Sequence, residues 1–447
     1  MVEYILPIAM VVSLLLGIFS GYPVAFVLGG IGILFMVVGG IPIAYMGVVA
    51  SRISGGVLEN WLLIAVPLFI AMGILLERSG IASRLLVSLE RLCGRLNGGL
   101  AVAVALLGVI LASSTGIIGA SVVMLGVLAL PMMLKQGYSK ALATGVVAAS
   151  GTLGIIIPPS IMLVLMGAIL QISVGDLFKA ALVPGLILGA LYIVFIFFIG
   201  WLRPGMAPLP EDTPPSSNIA HDVLKLLRDL LGPMLLVAAV LGSILTGIAT
   251  PTEAAALGMA GAFLLAAIFG KLSIPMLREV MHGTGSSTGM IIFVMIGATC
   301  FSAVFKRLGG DTMIEDMIMG TSLGPYGVLF MLMALIFILG FFLEWVEISF
   351  VVLPLFAPVI QTFQFSGVAA DEILVWFAVL VAMNLQTSFL TPPFGYALFY
   401  IRGVAPAEVR TSDIYRGAIP FVALQLMATI TLIAFPGLAL YLVRTMG

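Results

Sequence analysis

The sequence predicts an all-α polytopic membrane protein made of two inverted-topology repeats. Of its 447 residues, 62% are hydrophobic and only 9% are charged, whereas a soluble domain carries roughly 25% charged residues. So few charges cannot cover a surface that faces water. The chain also contains many apolar runs of about the 20 residues that a helix needs to cross a bilayer. Finally, the two halves share landmarks in the same order.

The apolar runs are separated by short polar stretches. Single spans are predicted at about 4–20, 22–38, 62–77, 141–157, 158–172, 181–202, 233–249, 252–270, 288–305, 372–390, 392–402 and 417–442. Two longer runs, 99–134 and 325–361, contain small and polar residues near their middle. Each is too long for one helix, which favours a re-entrant helical hairpin with its tip at 112–116 or 340–345. Two ordinary transmembrane helices are the alternative for each run.

Landmarks of the first half recur in the second half. The separation between copies stays between 224 and 237 positions for Pro158-Pro159 and Pro392-Pro393, Asp176 and Asp413, Phe69–Gly73 and Phe293–Gly297, and Pro23 with Gly30 and Pro251 with Gly258. A single match would mean little, but the ordered set indicates duplication. We therefore predict a first repeat over 1–202, a polar linker with an amphipathic surface helix over 203–231, and a second repeat over 232–447.

Basic residues in short loops predict the orientation, because such loops stay in the cytoplasm. The loop 77–97 carries four arginines and follows three spans, which places the N-terminus outside. Each half then makes five crossings, and an odd number inverts the second half relative to the first, as in many secondary transporters. Lys306 and Arg307 fall outside on this scheme, against the rule.

Composition excludes several functions. The net charge of −1 leaves no basic face for nucleic acid. Two cysteines and two histidines lie in no metal-binding spacing, and no nucleophile–base arrangement indicates an enzyme. No cofactor is predicted. A channel is disfavoured because paired helix breaks suit alternating access better than a continuous pore.

The two proline pairs carry the predicted chemistry. Proline lacks an N–H and clashes with the preceding turn, so a tandem pair ends one helix and can open the next. The freed carbonyls, with nearby Ser and Thr hydroxyls, suit a hard cation such as sodium. The N-terminus of the next helix suits a carboxylate. The alternative is structural, since Ser and Thr in membrane helices often bond back to their own helix.

Three acidic residues stand out. Glu344 and Glu347 lie within an apolar run, where a carboxylate is a functional candidate. Glu344 is predicted to serve a cation or proton, with capping of the hairpin tip as the alternative. Glu253 follows Thr250 and Pro251 and is predicted to stabilise the first turn of a helix.

Four strings, at 151–160, 250–254, 340–344 and 384–393, resemble those of the large membrane subunit of tripartite ATP-independent periplasmic (TRAP) transporters, the DctM-like proteins. The resemblance covers essentially the whole chain. It implies an elevator mechanism, sodium-driven uptake across the bacterial inner membrane, and two partners in addition to the lipid bilayer. These partners are a small four-helix membrane subunit and a periplasmic binding protein that delivers a small organic anion.

The resemblance also implies site residues. One sodium site is expected at Ser113, Ser114, Gly151 and Thr152, and another at Gly340, Thr387 and Thr391, to which we add Glu344. Substrate contacts are expected at Thr115, Pro158, Ser160, Asn384, Ser388 and Pro392. Many members have Asp at the second tip where this chain has Glu344. The string 384–389 looks closer to a subgroup that includes 2-oxo acid carriers.

The substrate stays open at this point. A C4-dicarboxylate, a 2-oxo acid and other carboxylates are all compatible with the sequence. The main rival function is a stand-alone divalent-anion/sodium symporter that needs no binding protein.

Overall fold

The structure is a computed structural model that describes residues 4–93, 96–115, 118–209, 219–321 and 323–446. In these ranges the backbone is helical apart from turns and short connections, and no strand occurs. Among the described helices, seven are long and apolar enough to cross a membrane by length and composition. The all-α polytopic prediction is therefore confirmed.

The first half consists of apolar helices joined by short turns. Its α-helices are α1 (Ile5–Phe19), α2 (Val24–Val38), α3 (Tyr45–Ile53), α4 (Ala65–Arg78), α5 (Ile81–Cys93), α6 (Gly99–Thr115), α7 (Ile118–Lys135), α8 (Lys140–Thr152), α9 (Ile161–Leu170) and α10 (Val174–Leu202). A π-helical turn at Ser54–Leu58 follows α3 directly. A 3₁₀ turn at Leu153–Ile155 follows α8.

The second half has a similar succession of helices. They are α11 (Ile219–Leu245), α12 (Pro251–Ile268), α13 (Ile274–Arg307), α14 (Gly310–Met319), α15 (Pro325–Leu339), α16 (Trp345–Glu347), α17 (Leu353–Gln361), α18 (Ile373–Leu390), α19 (Tyr396–Val404), α20 (Thr411–Ala434) and α21 (Gly437–Met446). A second π-helical turn, Ile348–Val352, joins α16 to α17.

Several boundaries differ from the prediction: α13 begins at Ile274, not 288, α10 begins at Val174, not 181, and the predicted loop 77–97 contains α5. Two further differences merge or divide predicted helices. The separate surface helix at 221–231 and the span from 233 form one continuous helix, α11, with Pro233 inside it. Pro233 removes one hydrogen bond without ending the helix, as membrane helices tolerate. The single span predicted at 417–442 is instead divided at Pro436 into α20 and α21. The three-part division of the chain stays a prediction.

The start of α12 confirms the predicted role of Glu253. Thr250 is the N-cap residue, and its hydroxyl accepts a hydrogen bond from the Glu253 N–H at 3.3 Å. The Glu253 carboxylate accepts one from the Thr250 N–H at 2.8 Å. This reciprocal pair satisfies two donors that the first turn would otherwise leave free.

Equivalent helices of the two halves pack reciprocally across the interface between the halves. α2 packs along α13, and α12, the repeat equivalent of α2, packs along α4. A Cβ on Gly258 would lie 2.6 Å from the Met72 sulfur, and a Cβ on Gly297 would collide with the Ala25 carbonyl oxygen. α8 packs along α20 in the same way, while α18 packs along α10. This reciprocal packing is what a duplicated, inverted pair of repeats would produce.

Both long apolar runs form two helices. The run at 99–134 contains α6 and α7, which pack against each other, and the run at 325–361 contains α15, a turn at 340–344, and α16 with its π-helical continuation. We refer to them as hairpin 1 and hairpin 2. Re-entry on one side of the membrane stays a prediction.

Candidate functional site

The two hairpins pack against two interrupted helices, α8–α9 and α18–α19. Both arms of hairpin 1 pack on α8, and both arms of hairpin 2 contact α18. The second arms also reach the other half, since α7 contacts α19 and α17 contacts α9. Each hairpin therefore contacts the helices on both sides of the pseudo-symmetric interface. We call residues 153–160 break 1 and residues 391–395 break 2.

Break 1 is enclosed by protein. Pro158 and Pro159 supply no N–H, so the carbonyls of Gly154 and Ile155 lose their usual helical donors. The Ser160 hydroxyl donates to the Ile155 carbonyl oxygen at 2.8 Å instead. The Leu153 carbonyl accepts two N–H groups at 3.1 Å. All residues from 150 to 162 are buried.

Break 2 opens towards a surface of the molecule. Its prolines deprive the Ser388 and Phe389 carbonyls of helical donors, and the Thr391 N–H bonds to the Ser388 oxygen at 3.1 Å. The Tyr415 hydroxyl donates to the Pro393 carbonyl at 2.9 Å. Pro393 and Phe394 are exposed, in contrast to the corresponding residues of break 1.

A hydrogen bond joins the helices that precede the two breaks. The Gln386 side-chain N–H donates to the Thr152 hydroxyl oxygen at 3.3 Å, and both residues are fully buried. Each residue lies six positions before its proline pair, so the bond connects repeat-equivalent positions. Sequence reasoning missed this role of Gln386, although the equal spacing from the two proline pairs could have revealed it.

Three buried side-chain oxygens on α8, α18 and α20 lack hydrogen-bond partners among the described residues. Within the described ranges, the Gln386 and Gln425 amide oxygens and the Ser150 hydroxyl have no hydrogen-bond partner. The Gln425 side-chain N–H donates to the Tyr192 hydroxyl at 2.8 Å. Buried polar atoms are usually paired in native structures, so unpaired ones require an explanation. Bound water or a cation would satisfy these oxygens.

A small cavity lies where the hairpins meet break 2. Its volume is about 50 Å³, and it is lined by Ile118, Gly119, Glu344, Trp345, Phe389, Tyr396 and Tyr400. Hairpin 1 contributes the start of α7, hairpin 2 contributes its tip, and α19 contributes two tyrosines. Cavities for organic ligands usually measure about 300–1,000 Å³, so this conformation offers room for water or an ion only. Glu344 is the single acidic residue of the lining.

The sequence analysis did not single out Tyr396 and Tyr400. Their spacing of four along α19 places both on one helix face, and the helix directly follows the second proline pair. The Tyr396 hydroxyl donates to the Phe342 carbonyl of hairpin 2 at 2.9 Å. The combination of this spacing with the proline pair is the signal that could have identified them.

The predicted hydroxyl and amide ligands are mostly bonded to the backbone. Thr387 donates to Met383, Thr391 donates to Thr387, and Ser388 donates to Leu385. The Asn384 side chain reaches hairpin 2, where its N–H donates to the Met333 carbonyl at 2.7 Å. These bonds leave oxygen lone pairs available, so a role as sodium ligand stays a prediction for each hydroxyl.

Other predicted residues fall into four groups. The side chains of Ser113, Ser114 and Thr115 lie outside the described residues. Gly151 and Thr152 are buried before break 1, and Gly340 meets Ser388 so closely that a Cβ would collide with its hydroxyl. Pro158, Ser160 and Pro392 line the breaks themselves. Glu344 and Phe389 both line the small cavity. The lining of this cavity does not include Thr387 or Thr391.

The sequence matches the family described as "Tripartite ATP-independent periplasmic transporter, DctM component" over residues 11–438. The chain belongs to this family. It is 29% identical to the C4-dicarboxylate TRAP transporter large permease protein DctM of Pseudomonas aeruginosa, over 87% of this chain and 88% of that one. It is also 29% identical to the sialic acid TRAP transporter large permease protein SiaM of Vibrio cholerae, over 95% of each chain.

The TRAP family assignment makes the chain a multi-pass transport component, not an enzyme. Its fold resembles the crystal structure of the Alcanivorax borkumensis YdaH transporter, with a TM-score of 0.63, 13% sequence identity, and coverage of 90% of this chain and 91% of that one. The identity is too low to transfer function, so this likeness concerns the fold alone. The two TRAP relatives are named for different acids, which leaves the substrate of this chain open.

Proposed function

We propose that this TRAP permease takes up a small organic anion across the bacterial inner membrane, driven by a sodium gradient. The anion carries a carboxylate, as a C4-dicarboxylate or a 2-oxo acid does. The observation that carries the proposal is the cavity at break 2, where both hairpins, a freed helix end and Glu344 converge. Carbonyls that the prolines deprive of donors are suitable ligands for a hard cation.

Sodium coupling needs a site that changes with the position of the hairpins. Gly340 of hairpin 2 lies against Ser388, and Asn384 bonds to α15. Thr387 and Thr391 occupy the same helix end, with hydroxyl oxygens that can accept a cation while they donate to the backbone. A shift of hairpin 2 would therefore alter the oxygens around any cation bound at this end of α18.

An elevator movement would carry the site across the membrane. The ring of Phe342, at the tip of hairpin 2, packs edge-on against Phe19 with 5.0 Å between centroids. On the predicted orientation, Phe19 ends α1 on the cytoplasmic side, whereas hairpin 2 enters from outside. This contact favours a conformation in which the hairpins and broken helices are displaced towards the cytoplasm.

Two partners complete the proposed transporter. A periplasmic binding protein would deliver the anion, and a small four-helix membrane subunit would bind the outer helices. The tripartite description of the family supports both. The alternative is a stand-alone divalent-anion/sodium symporter.

Reconstitution separates these possibilities. The chain should be placed in proteoliposomes with and without its small subunit and binding protein, and uptake of radiolabelled succinate and pyruvate measured under an inward sodium gradient. We expect uptake only with both partners, and a potassium gradient should not replace sodium. Uptake by the chain alone would favour the stand-alone symporter. Equal uptake without sodium would show that sodium is not the coupling ion.

A further inference from the structure

A second and larger cavity lies away from the two breaks. Its volume is about 320 Å³, within the range of about 300–1,000 Å³ found for organic ligands. We call it the Arg52 cleft, and its lining includes Arg52, Asn60, Gln171, Thr299, Ser302 and Phe350. On the predicted orientation, the ends of α3 and α9 that form it face the periplasm, the side from which an anion would arrive.

The Arg52 guanidinium is a positive charge without an acidic partner among the residues that line this cleft. It forms no ion pair within the described ranges, and no acidic residue lines the cleft. Glu59, the nearest acidic residue along the chain, accepts a hydrogen bond from Ser54 at 2.7 Å. A guanidinium group binds carboxylates in a bidentate manner with well-defined geometry. An acid group of the substrate would therefore complete the cleft electrostatically.

Uncharged hydrogen-bond donors line the cleft together with the Arg52 guanidinium. The Ser302 hydroxyl makes no hydrogen bond with any described residue, and the exposed Gln171 is the left-handed C-cap of α9 with φ at 56°. The Asn60 side-chain oxygen accepts from the Leu62 N–H at 3.2 Å, and its NH2 group makes a long contact of 3.5 Å with the Gly56 carbonyl, which leaves one N–H to donate. Arginine, amide and hydroxyl donors around one cleft match the oxygens of a carboxylate and a neighbouring keto or hydroxyl group.

The walls of the cleft belong to two different units of the fold. Arg52, Gly56 and Asn60 surround the π-helical turn after α3, whereas Phe350 lies in the π-helical turn of hairpin 2. π-helical turns are rare and occur frequently at functional sites. On the proposed elevator movement, these two walls would slide past each other, so the cleft would change shape as the hairpins move.

We propose that the Arg52 cleft is a loading site for the carboxylate of the substrate, used before the anion reaches break 2. This inference rests on the proposed function but assigns a separate place and residue. Arg52 binds the acid group first, and movement of hairpin 2 then disrupts the cleft and releases the anion.

Cysteine labelling tests the location directly. In the complete transporter in right-side-out membrane vesicles, Arg52→Cys should react with a membrane-impermeant methanethiosulfonate reagent added outside. Succinate or pyruvate presented with the binding protein should slow the reaction. The matched control is Arg307→Cys, on α13 but outside the cleft, which should be labelled without protection. Equal protection by empty binding protein would show that Arg52 contacts that protein instead, and labelling only from the inside would also overturn the proposal.

Uptake kinetics test the charge. Arg52→Gln removes a hydrogen bond to a charged group, which should raise the KM for uptake about tenfold. The maximal rate should stay within about twofold of wild type. Arg52→Lys should retain most of the affinity, and Arg307→Gln should not change KM. An unchanged KM in Arg52→Gln would exclude the loading site while leaving sodium-driven uptake intact. Absence of uptake by the wild-type transporter would instead refute the proposed function.

Discussion

Break 1 and break 2 each contain a proline pair but have different surroundings. Every residue from 150 to 162 is buried, and the Ser160 hydroxyl satisfies the Ile155 carbonyl. At break 2, the position that corresponds to Ser160 is Phe394, which is 45% exposed. Its ring lies 5.2 Å from that of Phe342 at the tip of hairpin 2.

The difference shows how the two halves can diverge while keeping one architecture. The residues just before the first proline pair, Leu153 to Ile157, are largely aliphatic, whereas Thr387, Ser388 and Thr391 precede the second pair. The cavity with Glu344 is next to break 2. We infer that break 1 mainly stabilises the fold and that break 2 binds the transported anion and the coupling ion.

The largest effect is expected from the residue that follows each proline pair. Ser160→Ala leaves a buried carbonyl without its donor, which should lower the free energy of unfolding by about 1–3 kcal/mol. Phe394→Ala removes an exposed ring and should change stability much less, while it slows uptake through its contact with hairpin 2. Thermal unfolding in detergent, compared with initial uptake rates, measures both. A more destabilising Phe394→Ala would reverse the assigned roles.

Glu344 provides a test of charge at break 2. Glu344→Gln keeps the size and polarity of the side chain but replaces one carboxylate oxygen by an NH2 donor and cannot carry a negative charge. If the charge takes part in cation binding, uptake should fall about tenfold, equivalent to about 1.4 kcal/mol. Glu344→Asp should retain part of the activity. Wild-type rates in Glu344→Gln would leave only a capping role at the hairpin tip.

The bond between Thr152 and Gln386 connects the two regions. A double-mutant cycle with Thr152→Val and Gln386→Leu should give a coupling energy of about 0.5–1.5 kcal/mol, the usual range for a buried neutral hydrogen bond. Free energies of unfolding of the wild type, the two single variants and the double variant supply the value. Strictly additive effects would mean that the two helices do not support each other through this contact.

The smallest effect is expected where the chain end meets α18. The Arg444 guanidinium bonds to Glu372 at 2.5 Å and lowers the pKa of that carboxyl below its ordinary value of 4.5. The stabilisation is therefore complete above the ordinary pKa and is lost as the pH falls through the lowered one. Because Arg444 is 43% exposed, Arg444→Ala should cost at most about 1 kcal/mol at pH 7 and less in acid. Arg416→Ala, at an exposed arginine that forms no ion pair with any described residue, should show no such pH dependence.

Much of the fold could be predicted because lipid imposes strong constraints on sequence. Apolar run lengths predicted most of the long helices but not α3, α5 or α14, and the tandem prolines predicted both interruptions. The continuity of α11 through Pro233 could not be predicted, since a proline within a membrane helix can either end it or be tolerated. The Arg52 cleft was also missed because Arg52, Gln171 and Ser302 are distant in sequence and only tertiary packing brings them together.

The sodium response of Thr387→Ala tests the role of break 2 most directly. Thr387 is fully buried and donates to the Met383 carbonyl at 2.9 Å, and Thr429 on α20 is similarly buried and donates to Gln425 at 2.9 Å. Thr429→Ala is therefore a matched control for loss of a helix-bonded hydroxyl. Uptake should be measured against sodium concentration in proteoliposomes, with unfolding midpoints for both variants. We expect Thr387→Ala to fold normally and lose sodium activation while Thr429→Ala retains it; an unchanged sodium curve for Thr387→Ala would contradict a cation site at break 2.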